Sequence, residues 1–236
     1  MSISIVVPTY NEKDCIKECL KQIAYVFKGI DYELIIINDG STDNSDQIIV
    51  QSIKDNPKIK YISYPKNRGY SCAIEEGFKK SEKDFVSFLD ADLQYSPQDL
   101  LKMYNHAQKN NFDFVIGVPI KKNKYYNPLR RTTSFFYNAY ISFLFGIKLK
   151  DPNSLKLMRR KFLRKINFIL GYGIMIEIET LLGFKMQGIP INTYPINVHE
   201  RIAGKSKICS LKIISGTIID CAKLRFFKNK LIKKND

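Results

Sequence analysis

Two carboxylates one residue apart, Asp90 and Asp92, directly follow an apolar run of strand length, Phe85–Leu89. Side chains alternate between the two faces of a strand, so both carboxylates project to the same side just beyond its end. Two like charges this close repel each other unless a positive group lies beside them. A divalent cation with oxygen ligands satisfies such a pair, and a nucleoside diphosphate is its usual companion. A solvated acidic loop is the alternative that this segment alone leaves open.

The elements around this pair read as alternating strands and helices. Apolar runs predict strands over residues 3–8, 32–37, 59–63, 84–89 and 112–117, with helices between them over 12–28, about 41–55, 69–80 and 97–110. This alternation is typical of an α/β fold with a parallel, doubly wound sheet. Ligands bind beyond the carboxyl ends of the strands in such sheets. Asn11, Asp39 and the aspartate pair all follow strand ends, so we expect them to converge.

The second half of the chain is strongly basic. Residues 1–117 carry 14 Lys and Arg against 17 Asp and Glu, whereas residues 118–236 carry 24 against 6, so the net charge of +15 arises entirely in the second half. This balance favours an anionic partner, which can be nucleic acid, phospholipid headgroups or a phosphorylated substrate. Residues 173–187 are predicted to be helical and 189–198 extended. The aromatic-rich segment 134–145 is predicted to be either a buried helix or one at a membrane interface, and 208–227 is a second candidate for such an interface.

Cysteine usage and hydropathy indicate the cellular setting. The five cysteines are scattered and contain no Cys-x-x-Cys pair, which fits a reducing compartment. The first predicted strand follows Met1 almost directly, so no signal peptide is expected. No stretch of about 18 uncharged apolar residues occurs, so no transmembrane helix is expected. We find no repeat or linker and predict one domain over 1–236.

Four motifs in about the first 95 residues occur in an order that resembles a known family. They are Val7-Pro8-Thr9-Tyr10-Asn11-Glu12, Asn38-Asp39-Gly40-Ser41-Thr42-Asp43, Asn67-Arg68-Gly69 and Asp90-Ala91-Asp92-Leu93-Gln94. The set resembles glycosyltransferase family 2, whose GT-A fold has a Rossmann-like, mostly parallel sheet and binds a nucleotide-activated sugar. The Leu-Gln pair resembles the polyprenyl-phosphate sugar transferase branch, typified by dolichol-phosphate mannose synthase. The resemblance implies a donor half over 1–118 and a basic, acceptor-binding and membrane-facing half over 119–236.

The resemblance also implies a donor site and its cation. The residues implied to bind the nucleotide-sugar are Pro8, Tyr10, Glu12, Ile37, Asp39, Asp90, Ala91 and Asp92. Asp90, Asp92 and Gln94 would bind Mg²⁺ or Mn²⁺ directly or through water, and the cation would stabilise the leaving diphosphate. For Glu12, an acid that interacts with a helix dipole is the alternative.

Segments of the second half resemble the acceptor side of the same branch. Asp151-Pro152-Asn153-Ser154 resembles an Asp-Pro-x-Ser segment, although Leu155-Lys156 replaces the usual Gly-Phe. Residues 201–207 resemble an Arg-x-x-Gly-x-Ser-Lys loop, and residues 130–138 an Arg-x-x-x-Ser-x-x-x-Asn pattern. The residues implied to grip a lipid phosphate are Arg130, Ser134, Arg201, Ser206 and Lys207, and the candidate catalytic residues are Asp92, Arg130, Arg201 and Lys207. Solvated basic residues are the alternative. The family's Gly-Ser-Arg-Tyr is Gly117-Val118-Pro119-Ile120 here, so one expected phosphate-binding arginine is absent.

These residues predict a reaction that needs no general base. A phosphate monoester is ionised at pH 7, and the second half holds only six carboxylates. We therefore predict inverting transfer of a hexose from a nucleotide-sugar donor to a polyprenyl or dolichyl phosphate. The enzyme would act peripherally at an anionic membrane surface, on the cytoplasmic face. A membrane-anchoring subunit or a homo-oligomer is compatible with the sequence, and nucleic acid is not an expected partner.

Three other functions are compatible with parts of this pattern. A family 2 transferase acting on a sugar hydroxyl, in capsule, lipopolysaccharide or other glycan assembly, would be favoured by Asp151 or Glu177 near the anomeric carbon. A nucleic-acid-binding protein would explain the charge but not the carboxylates at the strand ends. A catalytically inactive nucleotide-sugar-binding subunit would fit the missing arginine after Gly117.

Overall fold

One sheet of seven strands organises the part of the chain that the structure describes. The computed structural model describes residues 1–54, 56–120, 128–147, 151–170, 173–201 and 211–233, with the side chains of 128–134 and 211–215 left out. The strands are β1 (Ile3–Thr9), β2 (Tyr32–Asp39), β3 (Ile59–Tyr64), β4 (Phe85–Phe88), β5 (Phe114–Pro119), β6 (Lys156–Arg159) and β7 (Asn192–Ile196). Their order in the sheet is β3-β2-β1-β4-β6-β5-β7.

The sheet is parallel except at one strand. β1 pairs in parallel with β2 and β4, β2 with β3, and β5 with β7, whereas β6 lies antiparallel between β4 and β5. The five strands and the doubly wound pattern predicted for the first half are confirmed. β6 was not predicted, because its four residues begin and end with a basic side chain and carry no apolar alternation. Its antiparallel insertion joins the second half of the chain to the first within one sheet.

Helices cover both faces of the sheet. They are α1 (Ile16–Val26), α2 (Ser45–Ile53), α3 (Tyr70–Lys80), α4 (Pro97–Asn110), α5 (Pro128–Phe145), α6 (Arg160–Leu163), α7 (Met175–Met186) and α8 (Leu211–Phe227). Alternation along β1 sends Val6 into one apolar cluster and Ile5 and Val7 into the other. The first cluster also holds α3, α7 and the inner sides of α5 and α8, and the second holds α1 and α4.

Close packing of α3 on β1 depends on a glycine. A Cβ atom at Gly77 would lie 2.2 Å from Cγ1 of Val6, well inside van der Waals contact. This approach places the N-terminus of α3 beside the carboxyl ends of β1 and β2. None of the helices in the described ranges combines the length and apolar character needed to cross a bilayer.

Candidate active site

A cavity of about 410 Å³ lies beyond the carboxyl ends of β1, β2 and β4. Its walls come from these strand ends, the N-terminus of α3, the residues before α7 and the residues after β7. The predicted site residues that line it are Pro8, Tyr10, Glu12, Asp39, Asp90, Ala91, Asp92 and Arg201. The sheet therefore gathers residues from four separate parts of the sequence into one site.

Asp90 and Asp92 each lie against a donor from another element. Asp90 Oδ1 accepts a hydrogen bond of 3.1 Å from the Tyr70 hydroxyl, at the start of α3. Asp92 Oδ2 lies 2.9 Å from Nη2 of Arg201, and its Oδ1 accepts from the backbone N–H of Gln94 at 3.0 Å. Leu93, between Asp92 and Gln94, adopts a left-handed backbone conformation, with φ at 56°. The turn thus folds both carboxylates towards the cavity.

The electrostatics of this pair suit a cation. Burial raises the pKa of Asp90 to about 7, and the negative charge of Asp92 adds to the shift, although the Tyr70 hydrogen bond and Arg201 oppose it. Oxygen donors of this kind are those that Mg²⁺ and Mn²⁺ prefer. Within the described ranges, no group of three or more His, Cys, Asp or Glu residues could hold a metal ion by itself. A cation here would therefore need further oxygen ligands, such as those of a bound diphosphate.

Arg201 reaches the aspartates because the segment after β7 lies against their loop. The His199 N–H donates to the carbonyl of Gln94 at 2.9 Å, and the Asn197 N–H donates to Oδ2 of Asp99 at 2.9 Å. These bonds fix the backbone on both sides of residue 198. The guanidinium of Arg201 then meets a carboxylate that is 3% exposed. A residue predicted for the acceptor thus contacts a residue predicted for the donor.

Asp39 holds the wall of the cavity. Its Oδ1 accepts from the backbone N–H of Arg68 at 2.9 Å, and its Oδ2 accepts from that of Gly69 at 2.8 Å. Gly69 has a φ of 101°, which favours glycine, so the Asn67-Arg68-Gly69 motif presents two N–H groups to one carboxylate. Asp39 also lines the cavity, and its contact with a nucleoside remains a prediction.

The loop after β1 rests on the loop after β2. Oδ1 of Asn11 accepts from the backbone N–H of Thr42 at 2.7 Å, and the Asn11 N–H donates to Oγ of Ser41 at 3.0 Å. The Glu12 N–H donates to Oγ of Ser45 at 2.9 Å. The Ser-Thr-Asp part of the second motif therefore supports the loop that carries Tyr10 and Glu12.

Two residues that sequence reasoning did not single out shape the site. Tyr70 binds Asp90, and burial, together with the charge of Asp90, raises the pKa of its hydroxyl well above the usual value. The next residue, Ser71, donates to the carbonyl of Gly173 at 2.9 Å and accepts from the Ile176 N–H at 3.2 Å, which joins α3 to α7. The position of Tyr70 directly after Asn-Arg-Gly was the available signal.

Several predicted residues lie elsewhere. Ile37 is fully buried in the core, and Gln94 is not among the described residues that line the cavity. Arg130 and Ser134 lie on α5, where their side chains are outside the description, and Ser206 and Lys207 fall outside the described residues. Roles predicted for these residues remain predictions.

Lys156, at the position where the family pattern departs, forms a buried ion pair. Its Nζ lies 2.7 Å from Oε2 of Glu177 and donates to the carbonyl of Ser154 at 2.9 Å. Both charged side chains are buried. Burial raises the pKa of Glu177 to about 8, although Lys156 opposes the shift. Glu177 is therefore engaged by Lys156 beneath the site.

Comparison with known proteins decides the family. The sequence model of the family described as Glycosyl transferase family 2 matches residues 4–184 of the chain. The chain belongs to glycosyltransferase family 2. The family resemblance noted from its four motifs is thereby confirmed.

Individual relatives agree with this family. An undecaprenyl-phosphate 4-deoxy-4-formamido-L-arabinose transferase of Pseudomonas fluorescens (strain SBW25) is 28% identical over 218 residues, which are 90% of this chain and 62% of that protein. A dolichol-phosphate mannosyltransferase of Pyrococcus furiosus is 33% identical over 117 residues, which are 50% of this chain and 33% of that protein. This chain thus spans less than two thirds of the length of either relative.

A solved structure confirms the fold. The glucosyl-3-phosphoglycerate synthase of Mycobacterium tuberculosis, in complex with Mn²⁺, uridine diphosphate and glucosyl-3-phosphoglycerate, superposes with a TM-score of 0.74 at 21% identity. The match covers 95% of this chain and 79% of that one. The predicted GT-A arrangement, a mostly parallel sheet flanked by helices, is therefore confirmed.

Proposed function

We propose that this glycosyltransferase transfers a hexose from a nucleoside-diphosphate sugar to a polyprenyl phosphate, with inversion and with a divalent cation. One observation carries the proposal: Arg201 begins the Arg-x-x-Gly-x-Ser-Lys segment and lies 2.9 Å from Asp92 of the donor pair. A carboxylate predicted for the donor and an arginine predicted for the acceptor phosphate thus line one cavity. The relatives named for undecaprenyl-phosphate and dolichol-phosphate support the same acceptor class.

In the proposed mechanism, the predicted site residues hold the cation, the nucleoside and the incoming phosphate. Asp90 and Asp92, with Gln94, would hold Mg²⁺ or Mn²⁺, which when bound supplies positive charge for the leaving diphosphate. The strand-end residues Tyr10, Glu12 and Asp39 would hold the nucleoside. Arg201, assisted by Arg130 and Lys207, would orient the incoming phosphate for attack on the anomeric carbon.

A phosphate acceptor explains why no carboxylate needs to act as a base. The acceptor oxygen is already ionised and attacks as the bond to the diphosphate breaks. Either Asp151 or Glu177 near the anomeric carbon would favour a hydroxyl acceptor, but Glu177 is buried against Lys156 and is not among the described residues that line the cavity. This arrangement favours the phosphate acceptor over the sugar hydroxyl.

The proposal extends to organisation and place of action. Residues 1–118 would form the donor half and residues 119–236 the acceptor and membrane-facing half of one domain. The basic second half would hold the enzyme peripherally at an anionic membrane, on its cytoplasmic face, where the acceptor lipid lies. A membrane-anchoring subunit or a second copy of the chain would be compatible with this role.

Sugar transfer to lipid tests the proposal. Radiolabelled GDP- and UDP-sugars are supplied with a polyprenyl phosphate, in Mn²⁺ and in EDTA, and lipid-linked product is measured. The proposal expects a lipid product that EDTA abolishes and whose anomeric configuration is opposite to that of the donor. Metal-dependent donor hydrolysis without lipid product would contradict the lipid acceptor and favour a sugar hydroxyl.

A further inference from the structure

Exposed apolar side chains are concentrated on two neighbouring helices. Twelve large hydrophobic side chains are exposed among the described residues, and seven of them lie on α5 and α8. These seven are Phe135, Phe136, Phe143, Ile218, Ile219, Phe226 and Phe227, which we call the α5–α8 face. A single exposed apolar residue needs no explanation, whereas a group of this size marks an interaction surface.

The spacing of these residues gives each helix an apolar outer side. On α5, Phe136 and Phe143 lie two turns apart, and on α8 Ile219 and Phe226 have the same separation. The opposite sides of both helices are buried in the same apolar cluster. The Tyr140 hydroxyl donates to the carbonyl of Ile218 at 3.0 Å, so the helices lie side by side. Their outer sides therefore form one surface.

This face begins at the wall of the cavity. Gly173 lines the cavity, and a Cβ atom built on it would lie 4.0 Å from Oγ1 of Thr217 on α8. Ile218 and Ile219 are the next two residues along the chain. An apolar partner on the α5–α8 face would therefore lie beside the site.

The charges around the face favour an anionic partner. The described residues 216–233 include the cations Lys223, Arg225, Lys228, Lys230 and Lys233, and the carboxylate Asp220, which lies 3.2 Å from Lys223. A second copy docked on this face by two-fold symmetry would bring like charges together. An anionic bilayer would instead neutralise the cations while its headgroup region accepts the aromatic rings.

We propose that the α5–α8 face docks on the surface of an anionic lipid bilayer. The aromatic side chains enter the headgroup region, the lysines and Arg225 contact lipid phosphates, and the cavity opens beside the membrane. This inference rests on the proposed function for its purpose, since a polyprenyl phosphate presents its phosphate at that surface. The binding itself requires no acceptor and can be measured without one.

Vesicle sedimentation tests the face with matched variants. The full chain is mixed with phosphatidylcholine vesicles with or without phosphatidylglycerol, and the bound fraction is measured. Phe143→Ser/Phe226→Ser removes two side chains that are 85% and 82% exposed on the face, and Tyr25→Ser/Val50→Ser removes two that are 80% and 50% exposed on α1 and α2. The first variant is expected to lose about tenfold in partitioning to anionic vesicles, and the second to bind like wild type.

Three results would overturn the inference. They are equal binding of wild type to neutral and anionic vesicles, unchanged binding of Phe143→Ser/Phe226→Ser, and a wild-type dimer in sedimentation velocity that this variant abolishes. Circular dichroism checks that the variants are folded. A water-soluble, short-chain polyprenyl phosphate serves as a separate acceptor. Vesicle binding with no transfer to it would support the face and contradict the proposed function.

Discussion

At the residue scale, Asp92 is the carboxylate through which the first half of the chain contacts an arginine of the second half. It is 3% exposed and lies at the end of a strand from the first half, yet its charged partner Arg201 comes from the second half. Asp90 next to it relies on a neutral hydroxyl from Tyr70. The pair therefore carries two carboxylates with one cationic partner among the described residues, which leaves negative charge directed at the cavity.

Replacing Asp92 tests the role of this charge. Asp92→Asn is expected to lower the rate of sugar transfer by about 100-fold or more, because stabilisation of the leaving diphosphate is lost. The matched control is Asp113→Asn, which removes a carboxylate 3.3 Å from Arg159 at the amino-terminal edge of the sheet. Donor turnover in Mn²⁺ is the measurement. Near-normal turnover by a folded Asp92→Asn protein would contradict the assignment.

Replacing Arg201 tests both its contact with Asp92 and its proposed contact with the acceptor phosphate. Arg201→Gln removes a positive charge 2.9 Å from Asp92, so Mn²⁺ is expected to bind severalfold more tightly in the absence of donor. The KM for polyprenyl phosphate is expected to rise about tenfold or more as a charged hydrogen bond is lost. Calorimetric titration with Mn²⁺ and acceptor kinetics measure the two effects. Lys109→Gln on the exposed end of α4 is the control, and equal Mn²⁺ affinity in the two variants would contradict the prediction.

At the element scale, the Lys156–Glu177 pair joins β6 to α7. Lys156 lies just after the Asp-Pro-x-Ser segment, where the resemblance leads us to expect the Phe of Gly-Phe. The structure explains the lysine at this position by its ion pair with Glu177 on α7. Removing one member of a buried pair leaves the other polar group in the core without its partner, whereas replacing both members by apolar residues removes that penalty. Each member of the pair is therefore needed for stability as long as the other is present.

The free energy of unfolding in urea measures how much the pair contributes to stability. Lys156→Met is expected to lower the free energy of unfolding by about 3–5 kcal/mol, and Lys156→Met/Glu177→Leu to recover most of the loss. Lys79→Met is the control, because its ammonium also lies 2.7 Å from a carboxylate, that of Glu75, but at the surface, where such a pair contributes about 0.3–0.5 kcal/mol. Equal losses for Lys156→Met and Lys79→Met would contradict the prediction.

A second carboxylate on α7 makes stability depend on pH. Glu179 Oε1 accepts from the backbone N–H groups of Ile169 and Leu170 at 2.9 Å each, yet burial raises the pKa of its carboxyl from 4.5 to about 7. Because the pKa is higher in the folded state, the protonated form favours folding. This contribution is complete below about pH 4.5 and is lost as the pH rises to about 7 and above.

The neutral variant Glu179→Gln isolates this effect. Its carboxamide oxygen can accept the same two hydrogen bonds without a titrating charge, so its stability relative to wild type is expected to increase between pH 4.5 and 7. Urea unfolding at a series of pH values gives the difference. The exposed Glu82→Gln serves as the control, and a wild-type-to-Glu179→Gln difference that does not vary with pH would refute the prediction.

At the scale of the whole molecule, charge is divided between the halves. The first 117 residues have a net charge of −3 and the remaining 119 have +18. The sheet nevertheless combines both halves, since β6 from the second half pairs with β4 from the first. An acidic strand edge and a basic second half therefore belong to one structure, as the proposed charged donor and anionic acceptor would require.

Ionic strength tests the contribution of this charge. Raising NaCl from about 0.1 M to about 1 M shortens the Debye length from about 10 Å to about 3 Å, so binding to anionic vesicles is expected to fall. The apolar contribution of the α5–α8 face should persist and leave residual binding that Phe143→Ser/Phe226→Ser reduces. Vesicle sedimentation across the salt series is the measurement. Binding that does not change with salt would show that the basic residues make no contribution.

Much of the candidate site could be predicted from local patterns. The aspartates at 90 and 92 follow a run of apolar residues, and strands in an α/β fold end at one edge, so their convergence with Asp39 follows from the sequence. The strand β6 could not be predicted, because a four-residue strand with lysine and arginine at its ends has no periodicity to detect. The role of Tyr70 was not predicted, because it depends on the direction in which the N-terminus of α3 points.

The sequence alone therefore determined the α/β class, the family motifs, the carboxylate pair and the basic character of the second half. These properties depend on residue type and on spacing within a few residues. Only the tertiary structure decided that Tyr70 binds Asp90, that Arg201 meets Asp92 and that Lys156 pairs with Glu177. Each of these contacts joins residues from different elements, and their partners depend on how the sheet and its crossovers bring distant parts of the chain together.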